Sequence, residues 1–344
     1  MFRLLRTPID ELRWIVRVSR PRFWMYLFGP FLIGIVGAVR SLTTPQKSFI
    51  LHLQYIRADL ANLFEVIFIS FPHFVVRDPL AALMLILIAI LIFGYFLFPA
   101  NLLIYGVNDL FDIETDLLNP KKRSYESTLS IAKRQRLLLW IVVSQLPWVG
   151  WLIAISFVTT EKTIYPFLPF LVFFFLGIFY SAPPIRAKAR PFLDSLFNCL
   201  YVMPGLLSYF FMLSETAPIT GFGPTPFPWL PFLAGCLWCM AMHAYSAVPD
   251  IKADMGANLQ TIATKLGART TLYVCLGLYV IATILACIAT QDWSLRLLIA
   301  SLGLVYVIMM SLSLMEEDVL PIYKRFPLVN TLVGSFLFFG LWLF

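Results

Sequence analysis

The sequence predicts an all-α fold, a polytopic membrane protein of nine transmembrane helices. Three observations predict it. The 344 residues are 60% hydrophobic and only 13% charged, whereas a soluble domain carries about 25% charged residues. Apolar runs long enough to cross a bilayer recur along the chain. Their Leu, Ile, Phe and Val content lies in continuous stretches, which suits helices and not the alternating strands of a barrel.

The elements follow in order. Residues 1–22 are a cytoplasmic N-terminal segment whose start reads as an amphipathic helix. Leu4, Leu5, Ile9, Leu12, Ile15 and Val16 oppose arginines, as in a helix lying on the inner membrane surface. The first span, 23–39, has no small-residue cleavage site after it and reads as a retained helix, not a signal peptide. Residues 41–79 form an outer-side insertion, interrupted by Arg57, Asp59 and Glu65. Further spans are expected at 81–105, 137–158, 165–181, 193–213, 228–248, 271–290, 295–313 and 327–344, within a transmembrane domain of residues 23–344. The loop 214–227 is Pro/Gly-rich and outer.

Basic residues fix the orientation. Only Arg40, Lys47, Arg57, Arg77, Lys162 and Arg296, six of the 26, fall on one side. The others cluster on the side of the N-terminus. By the positive-inside rule the N-terminus is cytoplasmic and the C-terminus outside, in a multi-pass protein of the cell (inner or plasma) membrane. Nucleic acid is not needed to explain the positive charge. Cys199, Cys236, Cys239, Cys275 and Cys287 all lie in apolar spans. They read as small hydrophobic filler, with no disulfide framework or zinc site.

The stretch "NLLIYGVNDLFDIETDLLNPKKR" at 101–123 breaks the apolar pattern. Asn108, Asp112 and Asp116 are spaced i, i+4, i+8 on one helix face, and that face runs back to Tyr105 and Asn101. Asp250, Asp254 and Asn258 repeat the spacing after the sixth span, with His243 on the same face. Like charges on one helix face destabilise it, and each charge costs about 2.5–3.5 kcal/mol at the centre of a span, less near its end. Mg²⁺ offsets such charge and prefers one or two carboxylates together with phosphate oxygens. Two facing acidic sets near Lys and Arg therefore point to a diphosphate held through Mg²⁺ in a central cavity opening to the cytoplasmic side. A third segment, "YSAPPIRAKARPFLDSLFN" at 180–198, adds Tyr180, Arg186, Lys188, Arg190, Asp194 and Asn198. The plainer reading, polar helix ends with loop charges, explains neither the repeated spacing nor the Asn in each set. A transporter predicts charges deep in several spans, and the mid-span regions are nearly uncharged.

These residues resemble the UbiA-type intramembrane prenyltransferases. The family pattern NDxxDxxxD is matched by Asn108, Asp109, Asp112 and Asp116. The second pattern, DxxDxxxD, is matched by Asp250 and Asp254, with Ala247 where its first Asp would stand. The loop after the fourth span is matched by Tyr180, Pro183 and Lys188. Within the family the chain looks most like the lycopene elongases, which add C5 units to the ends of a carotenoid. The resemblance implies Mg-dependent transfer of an isoprenyl group, dimethylallyl, from its diphosphate to a lipophilic acceptor. It implies catalytic roles for Tyr180, Asp112 and Asp250. Mg²⁺ would be held by Asn108, Asp109, Asp112, Asp116, Asp250 and Asp254, and the diphosphate by Lys121, Lys122, Arg123, Arg186, Lys188 and Lys252. The cavity for the acceptor would be lined by Asn101, Tyr105, Asp194, Asn198, His243 and Tyr245. An aromatic acceptor (a quinone precursor, or a chlorophyll- or haem-type ring) is the alternative within the family. A non-enzymatic carrier of phosphate lipids is the alternative outside it.

Overall fold

The structure is a computed structural model and describes residues 8–42, 87, 90–112, 131–158, 167–220 and 227–344. Glu114, Asp116, Lys121, Lys122, Arg123 and all but the start of the 41–79 insertion lie outside them.

The described elements are helical. They are α1 (Pro8–Val18), α2 (Met25–Leu42), α3 (Pro99–Phe111), α4 (Arg134–Val158), α5 (Phe167–Ser181), α6 (Leu193–Leu196), α7 (Met203–Thr220), α8 (Trp229–Ala247), α9 (Ile251–Gly256), α10 (Ile262–Leu266), α11 (Ala268–Ile288), α12 (Trp293–Met315), α13 (Leu320–Tyr323) and α14 (Phe326–Leu343). Among the described residues, eight helical stretches are long and apolar enough to cross a membrane, and α5 is a shorter apolar helix beside them. Together they account for the nine expected spans. Helix α7 continues to Thr220, beyond the predicted span end at 213.

The spans close into a ring. Helix α2 packs on α7 and α14, α7 on α5, α5 on α3, and α3 on α4. On the other side α8 packs on α11, α11 on α12, and α12 on α14. Side chains on the outer face are apolar, as a lipid-facing wall requires: α4 exposes Leu138, Leu139, Val142 and Val143 while burying Leu137, Ile141 and Trp148. Helices α2 and α7 meet through small residues. A Cβ on Gly34 would overlap the backbone of Gly205 and the Ser208 hydroxyl, and that hydroxyl donates to the Phe31 carbonyl at 2.7 Å. Small residues let helix backbones approach this closely where no hydrophobic force joins helices in lipid.

Two polar residues mend the backbone where Pro99 interrupts the second span. Asn101 Nδ2 donates to the Phe96 and Leu97 carbonyls at 2.8 and 3.0 Å. Gln145 Nε2 donates to the Pro99 carbonyl at 2.9 Å, and its Oε1 accepts from the Tyr95 hydroxyl at 2.8 Å. A proline in a helix frees carbonyls, and hydrocarbon offers them no water. The expectation that Asn101 lines the cavity is therefore not met; it is spent on this break. Tyr245 also departs from expectation. It is fully buried between α8 and α12, with its hydroxyl 2.9 Å from Ser313 Oγ and its ring against Phe326.

Helix α1 docks one face on this body. Ile15 and Val18 are buried, and Glu11 accepts from Arg136 at 2.6 Å and from Trp140 at 3.1 Å. Ile9 and Leu12 are exposed. Arg20 then takes a left-handed backbone (φ 52°) at the bend into the turn Pro21–Phe23.

Candidate active site

One cavity of about 280 Å³ collects most of those polar residues singled out by the sequence that are among the described residues. The first acidic segment reaches it from the end of α3. The helix stops at Phe111, so Asn108 lies on its last turn and Asp112 caps it. The second reaches it through a bend: α8 ends at Ala247, Val248–Asp250 form one 3-10 turn around Pro249, and α9 carries Asp254. Asn108, Asp112, Asp250 and Asp254 all line the cavity. Asn258 does not; it lies past the end of α9 with φ 54°. Ala247, standing where the family pattern has its first Asp, lines the cavity without a donor.

Cations sit among these acids. Lys188 comes from the loop after α5, is 6% exposed, and its Nζ contacts Asp112 Oδ1. Burial pushes its ammonium down to about 7, against the upward pull of Asp109 and Asp254. Arg20 and Arg22 enter from the N-terminal bend. Arg20 donates to Asp109 Oδ1 at 2.9 Å and lies over the Tyr105 ring at 4.7 Å. Asp109 is thus turned to Arg20 and is not part of the cavity lining. Ser181 donates to Asn108 Oδ1 at 2.9 Å, which fixes the amide. Arg186 and Lys252 are exposed and stand outside the lining.

Tyrosines form much of the rest of the wall. Tyr26, Tyr105, Tyr180 and Tyr201 line it. The Tyr105 and Tyr201 hydroxyls are 3.3 Å apart, and Asn330 Nδ2 donates to the Tyr26 hydroxyl at 2.9 Å. His243 and Asn198 also line the cavity. Asp194 lies behind them, fully buried.

Sequence reasoning missed Arg20, Arg22, Tyr26 and Tyr201 as cavity residues. The signal available for the first two was Arg-Pro-Arg at 20–22, where proline ends a helix against the membrane. No spacing rule singles out Tyr26 or Tyr201 among 14 tyrosines.

Residues 67–320 match the model of the UbiA prenyltransferase family. The chain belongs to this family. It is a prenyltransferase and a multi-pass membrane protein. It is 34% identical over 334 residues to the lycopene elongase/hydratase of Haloferax volcanii, covering 97% of this chain and 90% of that protein. It is likewise 34% identical to the lycopene elongase/hydratase of Halobacterium salinarum, covering 96% of this chain and 98% of that one. Among solved structures it is similar in fold to a UbiA homolog from Archaeoglobus fulgidus bound to GPP and Mg²⁺, with a TM-score of 0.56 at 17% identity over 95% of this chain and 99% of that chain. The same homolog bound to DMAPP and Mg²⁺ gives a TM-score of 0.56.

The donor set suits a hard cation. Among the described residues no three His, Cys, Asp or Glu groups converge to hold an ion by themselves. Two oxygen-donor pairs instead share the cavity, which fits Mg²⁺, an ion that completes its shell with phosphate oxygens and water.

Proposed function

We propose that this enzyme transfers a C5 dimethylallyl group from its diphosphate to the ends of lycopene or a related carotenoid, with Mg²⁺ as cofactor. The observation that carries the chemistry is the meeting of Asn108 and Asp112 with Asp250 and Asp254 around one cavity that also holds Lys188. Their full-length similarity to lycopene elongase/hydratases supports the acceptor. The side bearing the motifs is the cytoplasmic one, since the basic loops lie there.

Asn108, Asp112, Asp250 and Asp254 would hold the Mg²⁺, with Asp116 of the same pattern. Bound there, Mg²⁺ supplies Lewis-acid neutralisation of the charge that grows on the leaving diphosphate. Lys188 and Arg20 place fixed positive charge at the same end of the cavity, where it offsets that leaving charge without reorganisation. Arg22, Arg186 and Lys252 add the outer positive potential that draws a diphosphate in, as do Lys121, Lys122 and Arg123 from the sequence. Tyr180 and Tyr105 line the cavity beside these acids and would serve the allylic carbons. A ring face stabilises a cation, and the tyrosine wall keeps bulk water from it until the acceptor alkene attacks.

Expression in a bacterium engineered to accumulate lycopene, followed by mass spectrometry of the pigments, tests the reading. Carotenoids enlarged by C5 units are expected, and Asp112→Ala is expected to abolish them. Unchanged lycopene beside well-folded protein would overturn the carotenoid acceptor and direct the search to aromatic acceptors with labelled prenyl diphosphates.

A further inference from the structure

The departure of diphosphate does not use the pair formed by Asp194 and His243. Asp194 Oδ1 accepts from the Ser195 N–H at 2.8 Å, and Oδ2 accepts from the Ile262 N–H at 2.7 Å. These bonds fix a fully buried carboxylate in one orientation. His243 Nε2 lies 3.6 Å from that same Oδ2. That nitrogen is buried and makes no hydrogen bond to the described residues. Tyr180 packs edge-on against the imidazole with ring centroids 5.8 Å apart. His243 nevertheless lines the cavity. It precedes Asp250 by seven residues, on the far side of the bend at Pro249.

An imidazole beside a fixed carboxylate, on the wall of a tyrosine-lined cavity, is equipped to accept one proton. The carboxylate, 3.6 Å away and beyond hydrogen-bond distance, balances the imidazolium that forms. We infer that His243, beside Asp194, takes the proton from the water that adds to the acceptor cation after prenyl transfer. The inference rests on the carotenoid reading above. The acceptor alkene forms a C–C bond to the allylic carbon and is left as a tertiary cation. Water forms a C–O bond to that cation using an oxygen lone pair. One O–H bond then breaks, its electron pair stays on oxygen, and its proton passes to the imidazole, giving a tertiary alcohol. Without a base placed to take the proton from that water, the cation instead loses a proton from a neighbouring carbon to the departed diphosphate and becomes an alkene. Asp194 acts on His243 through its charge, and Asn198, whose Nδ2 donates to the Asp194 carbonyl at 2.7 Å, steadies the same turn.

The test compares membranes containing the full-length protein, His243→Gln and His243→Phe, supplied with lycopene, dimethylallyl diphosphate and Mg²⁺. Prenylated alcohol and prenylated alkene are quantified separately by chromatography and mass spectrometry. The alcohol-to-alkene ratio is expected to fall about 100-fold in both variants, the low side of what a placed base contributes. Asp194→Asn is expected to move the ratio in the same direction by less. An unchanged ratio overturns the inference, as does a wild type that yields alkene only. Loss of all prenylated product in His243→Gln of unaltered thermal stability also overturns it, because the histidine would then act before the C–C bond forms. Absence of any prenylated carotenoid from the wild type sinks the acceptor reading itself, a separate result.

Discussion

Lys188 shows how one position sets the chemistry. Its ammonium is held among carboxylates at 6% exposure and pushed down to about 7 by burial. A group so placed is poised for a diphosphate, which brings the negative charge that burial lacks. Lys188→Met keeps much of the volume and removes the charge. Turnover is expected to fall about 100-fold, the scale reported for losing one preorganised donor to a developing anion, and stability to fall as well, because Asp112 is left buried without this cation. The measurement is initial rate with labelled dimethylallyl diphosphate, alongside thermal unfolding in detergent; a loss below threefold would remove Lys188 from the leaving-group site. The acidic motif residues were legible because their cost in a membrane demands a partner. The roles of Asn101 and Tyr245 were misread for the same reason turned around. A polar side chain in a span needs a partner, but that partner is as readily a broken helix or a neighbouring serine as a substrate.

At the scale of elements, helices were legible from apolar length, yet their junctions were not. The sequence extends one helical face from Asn108 through Asp116 and another from His243 through Asn258. The structure ends α3 at Phe111 and bends α8 into α9 through Pro249. The bend brings Asp250 and Asp254 over the same cavity as Asn108 and Asp112. The contact of α2 with α7 rests on Gly34 and Gly205, and these positions tolerate no side chain. Gly34→Val is expected to force the helices apart and cost about 2 kcal/mol or more, lowering the unfolding temperature in detergent. Gly29→Ala on the same helix, where an added Cβ meets nothing within 4 Å, is expected to leave it nearly unchanged. Equal effects of the two would mean that the α2–α7 approach is not tight.

For the whole molecule, the ring of spans places charged motifs at one end and an apolar exterior in lipid, so a water-borne diphosphate and a hydrocarbon acceptor meet at a boundary. The site is assembled from four segments far apart in sequence, and the proposed Mg²⁺ would join the two acidic ones. Removal of metal from purified membranes by a chelator is expected to abolish turnover. Excess Mg²⁺ is expected to restore it, and Ca²⁺ to do so poorly, because the larger ion prefers more ligands at longer distances. Activity that survives exhaustive chelation would overturn the Mg²⁺ assignment.

The sequence by itself determined the class of the protein. Apolar length sets the spans, basic residues bias the orientation, and the spacing of Asn and Asp reports the chemistry, since each is a local cost that no membrane helix carries without cause. Only the tertiary structure decided which polar groups share the cavity. It brought Arg20 and Arg22 in from the N-terminal bend, turned Asp109 onto Arg20, and set His243 beside Asp194 across α6, α8 and α10. Those choices depend on which carbonyls, carboxylates and rings meet when distant helices pack, and helical periodicity along one segment holds no record of them.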